Sequence, residues 1–373
     1  MPRLTRRLGY PLMVMALALA ASAPMDVSAS TAPPRPPSPP RPWVTICLKL
    51  KQMPNHRRIK CHFPPAPRNT APDRLAPEAR QAPSISEIAI PTTPAAPIGI
   101  TTGPDDNLWF AENYANKIGK VTTAGLFTEY SIPTSDSQPA HLVTGPDGAV
   151  WFTEANANQI GRITTSGTIT EYPLPTSDAY PWGITVGSDG ALWFVETIAN
   201  QIGRITTSGT ITEYPLPTSG VYPMRITAGP DDNLWFTESF SSSIGQITTS
   251  GTITEFTAPS SAVPIGITTG PDGNLWYTDA NGKVGNVTTT GTFTEYTLSD
   301  PNSLPWGITV GADDNLWFTE QTAGNVASTT TSGTINEYAL PTSVSGPFDI
   351  TDGPDDNLWA TEDYVSQLAV VTP

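Results

Sequence analysis

The chain has 373 residues, only 14% of them charged, and a formal net charge of −15. The charge is split. Residues 1–80 hold 13 Lys+Arg and 3 Asp+Glu (+10), and the remainder holds 6 Lys+Arg and 31 Asp+Glu (−25). So acidic a body repels nucleic acid and attracts cations, so no nucleic-acid partner is expected.

The N-terminus has the layout of a secretory signal. Arg3, Arg6 and Arg7 form a basic start, Pro11 to Ala21 form a short apolar run, and Val27-Ser28-Ala29 offers small residues for cleavage. The expected location is secreted or otherwise extracytoplasmic, with an uncleaved anchor as the alternative. No later segment is apolar enough to span a bilayer. Residues 30–83 are Pro-rich and basic and read as a mostly disordered linker. It is a solvated tether or a contact for anionic polymer or lipid. The only cysteines, Cys47 and Cys61, lie in it, with His56 and His62 nearby. A disulfide, free thiols and a zinc site all stay open, though the spacing fits no standard zinc module.

From residue 84 onward the chain is a repeat. Seven tryptophans, Trp109, Trp151, Trp193, Trp235, Trp276, Trp317 and Trp359, follow one another at 41 or 42 residues. That period predicts one four-stranded blade per repeat and an all-β, seven-bladed propeller over residues 84–373. Residues 139–177 show the pattern, with strand A at Ala140–Thr144, B at Ala149–Glu154, C at Gln159–Thr164 and D at Thr168–Leu174. Ser166-Gly167 reads as a two-residue C–D turn. That turn would set Arg162 opposite Glu171, Arg204 opposite Glu213 and Lys120 opposite Glu129, as structural ion pairs. The Trp on strand B is expected in the core between blades. The last repeat ends after strand C, and residues 84–92 match the strand-D sequence at 168–176. The N-terminal strand should therefore complete blade seven and hide both edges.

Two sets of positions should converge on one mouth of the channel. The residue after the strand-A Pro is Ile98, Ala140, Trp182, Met224, Ile265, Trp306 or Phe348. This slot is either a ligand floor, with Trp182, Trp306, Phe348 and Met224 as contacts, or a hydrophobic plug. Strand B ends in Glu112, Glu154, Glu196, Glu238, Asp279, Glu320 and Glu362. These acids are candidates for a rim holding Mg²⁺ or Ca²⁺, or each accepts backbone N–H groups of a neighbouring loop. The residue after the slot is Gly in four blades but His141, Arg225 and Asp349 in the others. A base, a cation and a carboxylate there could bind a polar ligand or assist proton transfer. No organic cofactor is expected, and the protein is expected to be monomeric.

The repeated words are Pro-Ile-Gly-Ile-Thr (97–101), Leu-Trp-Phe-Thr-Glu (234–238), Gln-Ile-Gly-Arg-Ile-Thr-Thr-Ser-Gly (159–167) and Ile-Thr-Glu-Tyr-Pro-Leu-Pro-Thr (169–176). They resemble the virginiamycin B lyase (streptogramin lyase) family over residues 84–373. The resemblance implies a seven-bladed propeller and elimination across the ester C–O bond of cyclic depsipeptide antibiotics. It also implies Mg²⁺ and a histidine base on the channel face. In the lyases the last two blades carry His directly after the strand-A Pro, where this chain has Trp306 and Phe348. A Glu two residues before the final His is here Gly346, while the strand-B acid of the last blade is kept as Glu362. His141 lies one residue out of register in blade two and is expected to face the other way. The sequence thus points to a family propeller that binds a small-molecule or extracellular ligand at the channel mouth without antibiotic-lyase activity. The alternative is a metal-assisted carbon–oxygen lyase or hydrolase using the acid rim, with Glu362 and His141 catalytic.

Overall fold

The computed structural model describes residues 82–259 and 261–373. The signal segment, the Pro-rich linker and both cysteines lie outside the described residues. No helix is found among the described residues, and hence none long and apolar enough to cross a membrane.

Seven four-stranded antiparallel sheets follow each other around a ring. Blade 1 is β2 (Pro97–Thr102), β3 (Leu108–Glu112), β4 (Lys117–Val121) and β5 (Phe127–Ser131). Blade 2 repeats it as β6 (Pro139–Thr144), β7 (Val150–Glu154), β8 (Gln159–Ile163) and β9 (Ile169–Pro173). The innermost strands of neighbouring blades pack side by side, and the first packs on the last. Blade 7 consists of β26 (Pro347–Asp352), β27 (Leu358–Glu362), β28 (Gln367–Thr372) and the N-terminal β1 (Ser84–Ala89). Its register runs from Ser84 opposite Thr372 to Ala89 opposite Gln367. The expected closure by the N-terminal strand is therefore present. Deleting residues 1–80 should leave the melting temperature nearly unchanged. Deleting through Pro91 should lower it sharply, because strand β28 then becomes an open edge. Equal melting temperatures for the two truncations would contradict this closure.

The seven repeat tryptophans are buried, none more than 2% exposed. Each sits between blades, as Trp109 does against Leu142 and Phe152 of the next blade. Each indole N–H is bonded to an Asp four residues earlier in the A–B turn, for example Trp109 to Asp105 at 2.8 Å and Trp151 to Asp147 at 3.0 Å. That bond removes the cost of burying the one polar atom of the ring.

The C–D turn differs from the sequence reading. Thr164 N–H bonds Thr168 O, and Gly167 N–H bonds Thr164 O, with Gly167 at φ +93°. The loop has three residues, Thr165 to Gly167, with Gly supplying the left-handed position. One extra residue slips every pair by one, so Glu171 faces Gly161 and Arg162 faces Thr170. Arg162 and Glu171 thus lie on opposite faces of the blade. The expected pairs Arg162–Glu171, Arg204–Glu213 and Lys120–Glu129 do not form. Arg162 instead pairs with Asp147 at 2.6 Å, Arg204 with Asp189 at 2.7 Å and Lys120 with Asp105 at 3.3 Å. These are the aspartates that hold the core indoles, and each cation also lies over its indole ring. The strand-D glutamates are structural in another way. Glu171 accepts the Thr134 N–H, Glu213 accepts Thr176 and Glu87 accepts Thr342, each time tying one blade to the blade before it.

Candidate functional site

Every strand A is bulged at the slot. In blade 3, Pro181 pairs with Glu196 and Ile184 with Phe194, three steps on one strand against two on the other. The same shift recurs in all seven blades. A bulge frees a backbone N–H and a C=O and re-aims the side chains beside it. In five blades a strand-B threonine occupies the freed groups. Thr153 Oγ1 accepts the His141 N–H at 3.1 Å and donates to Trp182 O of the next blade at 2.7 Å. Thr237, Thr278, Thr319 and Thr361 repeat this clamp. The clamps hold the slot carbonyls in place around the axis. Sequence reasoning missed them, although a Thr two residues after the core Trp was visible in each of those blades.

The bulge also corrects the expectation for His141. Its ring turns toward the slot residues, with centroids 5.3 Å from Trp182 and 6.5 Å from Phe348. The three non-glycine residues after the slot come together. Arg225 Nη2 is 2.9 Å from Asp349 Oδ1, and Arg225 Nη1 donates to Asp349 Oδ2 at 3.3 Å. His141 Nδ1 lies 3.4 Å from the same Oδ2, a loose contact. Blades 2, 4 and 7 thus meet at the axis. Each of the three follows a blade whose equivalent residue is Gly. A Cβ on Gly99 would come within 2.8 Å of the His141 backbone, one on Gly183 within 2.8 Å of Arg225 and one on Gly307 within 2.6 Å of Asp349. Gly266 is as crowded against the Trp306 carbonyl although Gly307 follows it, so the glycines make room for the next blade's backbone as well as for the clasp.

Electrostatics follow from this geometry. Burial, then the Arg225 charge, lowers the His141 pKa to about 4, so the ring is neutral at pH 7. Arg225 and His141 hold Asp349 down to about 2 against the effect of burial. A fully buried imidazole that weakly basic is a poor proton acceptor at neutral pH.

The slot side chains are sealed. Trp182 is 1% exposed, Trp306 0%, Phe348 2% and Met224 2%. Trp306 and Phe348 pack at 4.6 Å, and Tyr180 stacks on Trp182 at 5.9 Å. These rings form a plug beside the clasp. Trp182 Nε1, Trp306 Nε1 and His141 Nε2 are buried with no hydrogen-bond partner within the protein. On the same end of the ring, Tyr114, Phe240 and Tyr364 are 60%, 53% and 41% exposed. Each lies five residues after a core Trp, a spacing that could have flagged them in the sequence.

The strand-B acids do pair with the strand-A prolines, Glu112 with Pro97 for instance. Their side chains, however, are buried one by one rather than gathered on a rim. The charged neighbours of Glu112 are Glu129 and Lys117, and those of Glu154, Glu196 and Glu362 are Glu171, Glu213 and Glu87, all within their own blades. Burial, then the neighbouring glutamate, pushes these four up to about 8. Burial raises Glu238 and Glu320 to about 7, where Ser241 and Asn325 side chains donate to them. Asp279 alone accepts backbone N–H groups, from Val263 and Asn281. No three His, Cys, Asp or Glu side chains converge as a metal site among the described residues. No hydrogen bond or ion pair joins Glu362 to His141 among them either.

The virginiamycin B lyase family matches residues 83–371. The chain belongs to this family. Virginiamycin B lyase from Staphylococcus aureus is 41% identical over 78% of this chain and 99% of its own, with a TM-score of 0.75. A streptogramin B lyase structure is 39% identical over 79% and 99%, with a TM-score of 0.76. A catalytically inactive histidine-to-alanine form of the Staphylococcus aureus enzyme, solved with quinupristin, is 40% identical over 78% and 99%, with a TM-score of 0.75. Against the family pattern, the last two blades here offer an indole and a phenyl ring, packed on each other, where the lyases place imidazoles. Gly346 offers no side chain at all, and only Glu362 remains as an oxygen donor. These residues do not fit the family's Mg²⁺ site.

Proposed function

We propose that this propeller binds a small-molecule or extracellular ligand at the channel end where the strands A begin, and that it does not linearise streptogramin B antibiotics. One observation supports this reading above the others. Three nitrogens at the axis, on Trp182, Trp306 and His141, are buried without a partner in the protein. Buried polar groups are nearly always paired, so these three favour ordered water or a small polar group enclosed by the plug, with a larger ligand seated on the exposed rings outside it. The exposed rings of Tyr114, Phe240 and Tyr364 add apolar contact area on the same end. The layout of residues 1–29 supports an extracytoplasmic location.

The lyase alternative has an acid but no matching base. Burial, then Glu87, pushes Glu362 up to about 8, and its neighbours are Glu87 and Ser345 rather than a histidine. The test is to incubate the protein with quinupristin and Mg²⁺ beside the Staphylococcus aureus enzyme. Chromatography should show the opened product only with the latter. Comparable turnover by this chain would overturn the proposal.

A further inference from the structure

The first residue of strand C sits opposite the strand-B acid and reads, around the ring, Lys117, Gln159, Gln201, Ser243, Lys283, Asn325 and Gln367. In blade 1 the Lys117 ammonium lies 2.7 Å from Glu129 Oε2 and 2.7 Å from Thr92 Oγ1. In blade 5 the Lys283 ammonium lies 2.6 Å from Glu295 Oε2. The fold therefore already seats a cation beside the strand-B and strand-D acids in two blades. Blades 2 and 3 keep both acids, Glu154 with Glu171 and Glu196 with Glu213, but replace the lysine with a neutral amide. Glu154 and Glu196 are 0% exposed, and each faces the strand-D carboxyl of its own blade, Glu171 and Glu213, at hydrogen-bonding range, with Ser137 also reaching Glu154. Gln159 Oε1 is a buried oxygen without a partner. In blade 3, Gln201 Oε1 lies 3.5 Å from Thr176 Oγ1.

We propose that blades 2 and 3 each bind a hard divalent cation, Ca²⁺ or one like it, between the strand-B Glu, the strand-D Glu and the amide oxygen of Gln159 or Gln201. The ion takes the place that lysine occupies in blades 1 and 5. Two carboxylates balance a double charge, and an all-oxygen donor set of mixed carboxylate and carbonyl suits Ca²⁺. The −25 carried after residue 80 adds long-range attraction for cations. Blade 7 repeats the trio as Glu87, Glu362 and Gln367. Because Glu362 also matches the family's channel-face acid, only blades 2 and 3 are assigned these new cation sites. These sites lie within individual blades and are independent of the ligand site at the axis.

The test compares the full chain with the double variant Gln159→Lys, Gln201→Lys. Equilibrium dialysis with radioactive calcium at neutral pH and physiological ionic strength should show two fewer bound ions in the variant. Calcium should raise the melting temperature of the parent chain more than that of the variant. The variant without calcium should melt at least as high as the calcium-free parent, because lysine already works at this place in blades 1 and 5. If the lysine variant does not fold, Glu154→Gln with Glu196→Gln should lose the same two ions. Equal calcium binding by parent and variants would overturn the proposal. So would a melting temperature that rises on acidification but ignores calcium, since a shared proton would then be filling both places.

Discussion

Asp349→Ala is expected to destabilise the propeller by about 3–5 kcal/mol, the usual cost of leaving the partner of a buried ion pair alone. Among the described residues Asp349 is the one anion that Arg225 reaches across the channel, at 2.9 Å and 3.3 Å, and it also faces His141. Its side chain is 9% exposed and that of Arg225 15%, so solvent replaces little of what is lost. The variant also frees the Ile100 N–H, which the carboxylate accepts at 3.4 Å. The double variant Asp349→Gly, Arg225→Met should be much less damaged than Asp349→Ala. Glycine is already the residue at this position in four blades, and the guanidinium is gone. Denaturant melts of the two variants and the parent measure the coupling. Equal losses for the single and the double variant would mean that the clasp is not formed.

Trp151→Ala should cost a similar amount, about 3–5 kcal/mol, through the cavity between blades 2 and 3. The ring packs against Leu174, Ile184 and Phe194, stacks on Tyr172 at 5.5 Å and carries the Arg162 guanidinium above it. Removing it also strips Asp147 of the indole N–H. Thermal and denaturant melts should show the loss. Trp182→Ala is expected to destabilise as well, because Trp182 is 1% exposed and packs on Tyr180 and His141. An exposed ligand platform would have tolerated that change. A Trp182→Ala protein as stable as the parent would show that the plug is loose.

The fold was legible because one large residue recurs at fixed spacing, and because the strand missing from the last repeat stands before the first. Both signals are local and survive without geometry. The C–D register was not legible. Ser166-Gly167 suits a two-residue turn as well as the end of a three-residue one, and the φ of Gly167 decides between them. That single residue re-routed Lys120, Arg162 and Arg204 from the strand-D glutamates to the aspartates beneath the core indoles, while Lys117 and Lys283, at the start of strand C, pair with Glu129 and Glu295. The axial constellation was half legible. His141, Arg225 and Asp349 stood out as departures from glycine at one position. Their meeting across the ring depends on a bulge that no residue type announces. The strand-B acids were found as a set, yet their side chains run back toward strand D rather than forward to the mouth. Pairing alone does not say which face a side chain takes once burial competes.

The axis is closed by a buried clasp in which His141 is neutral. Nitrogen-15 NMR of the imidazole tests it most directly, with His141→Gln used to assign the resonance among the three histidines. The expected result is a neutral ring at pH 7 and a titration midpoint near 4, well below the ordinary 6.5. A depressed histidine gives stability that is full above 6.5 and lost as pH falls toward 4. Asp349, depressed to about 2 from 3.8, loses its share at still lower pH. The clasp should therefore weaken on the acid side only, and in that order. The buried strand-B glutamates, raised to about 7 or 8, add stability on acidification over the same range, so the imidazole itself is the readout, and a midpoint near 6.5 would contradict the clasp.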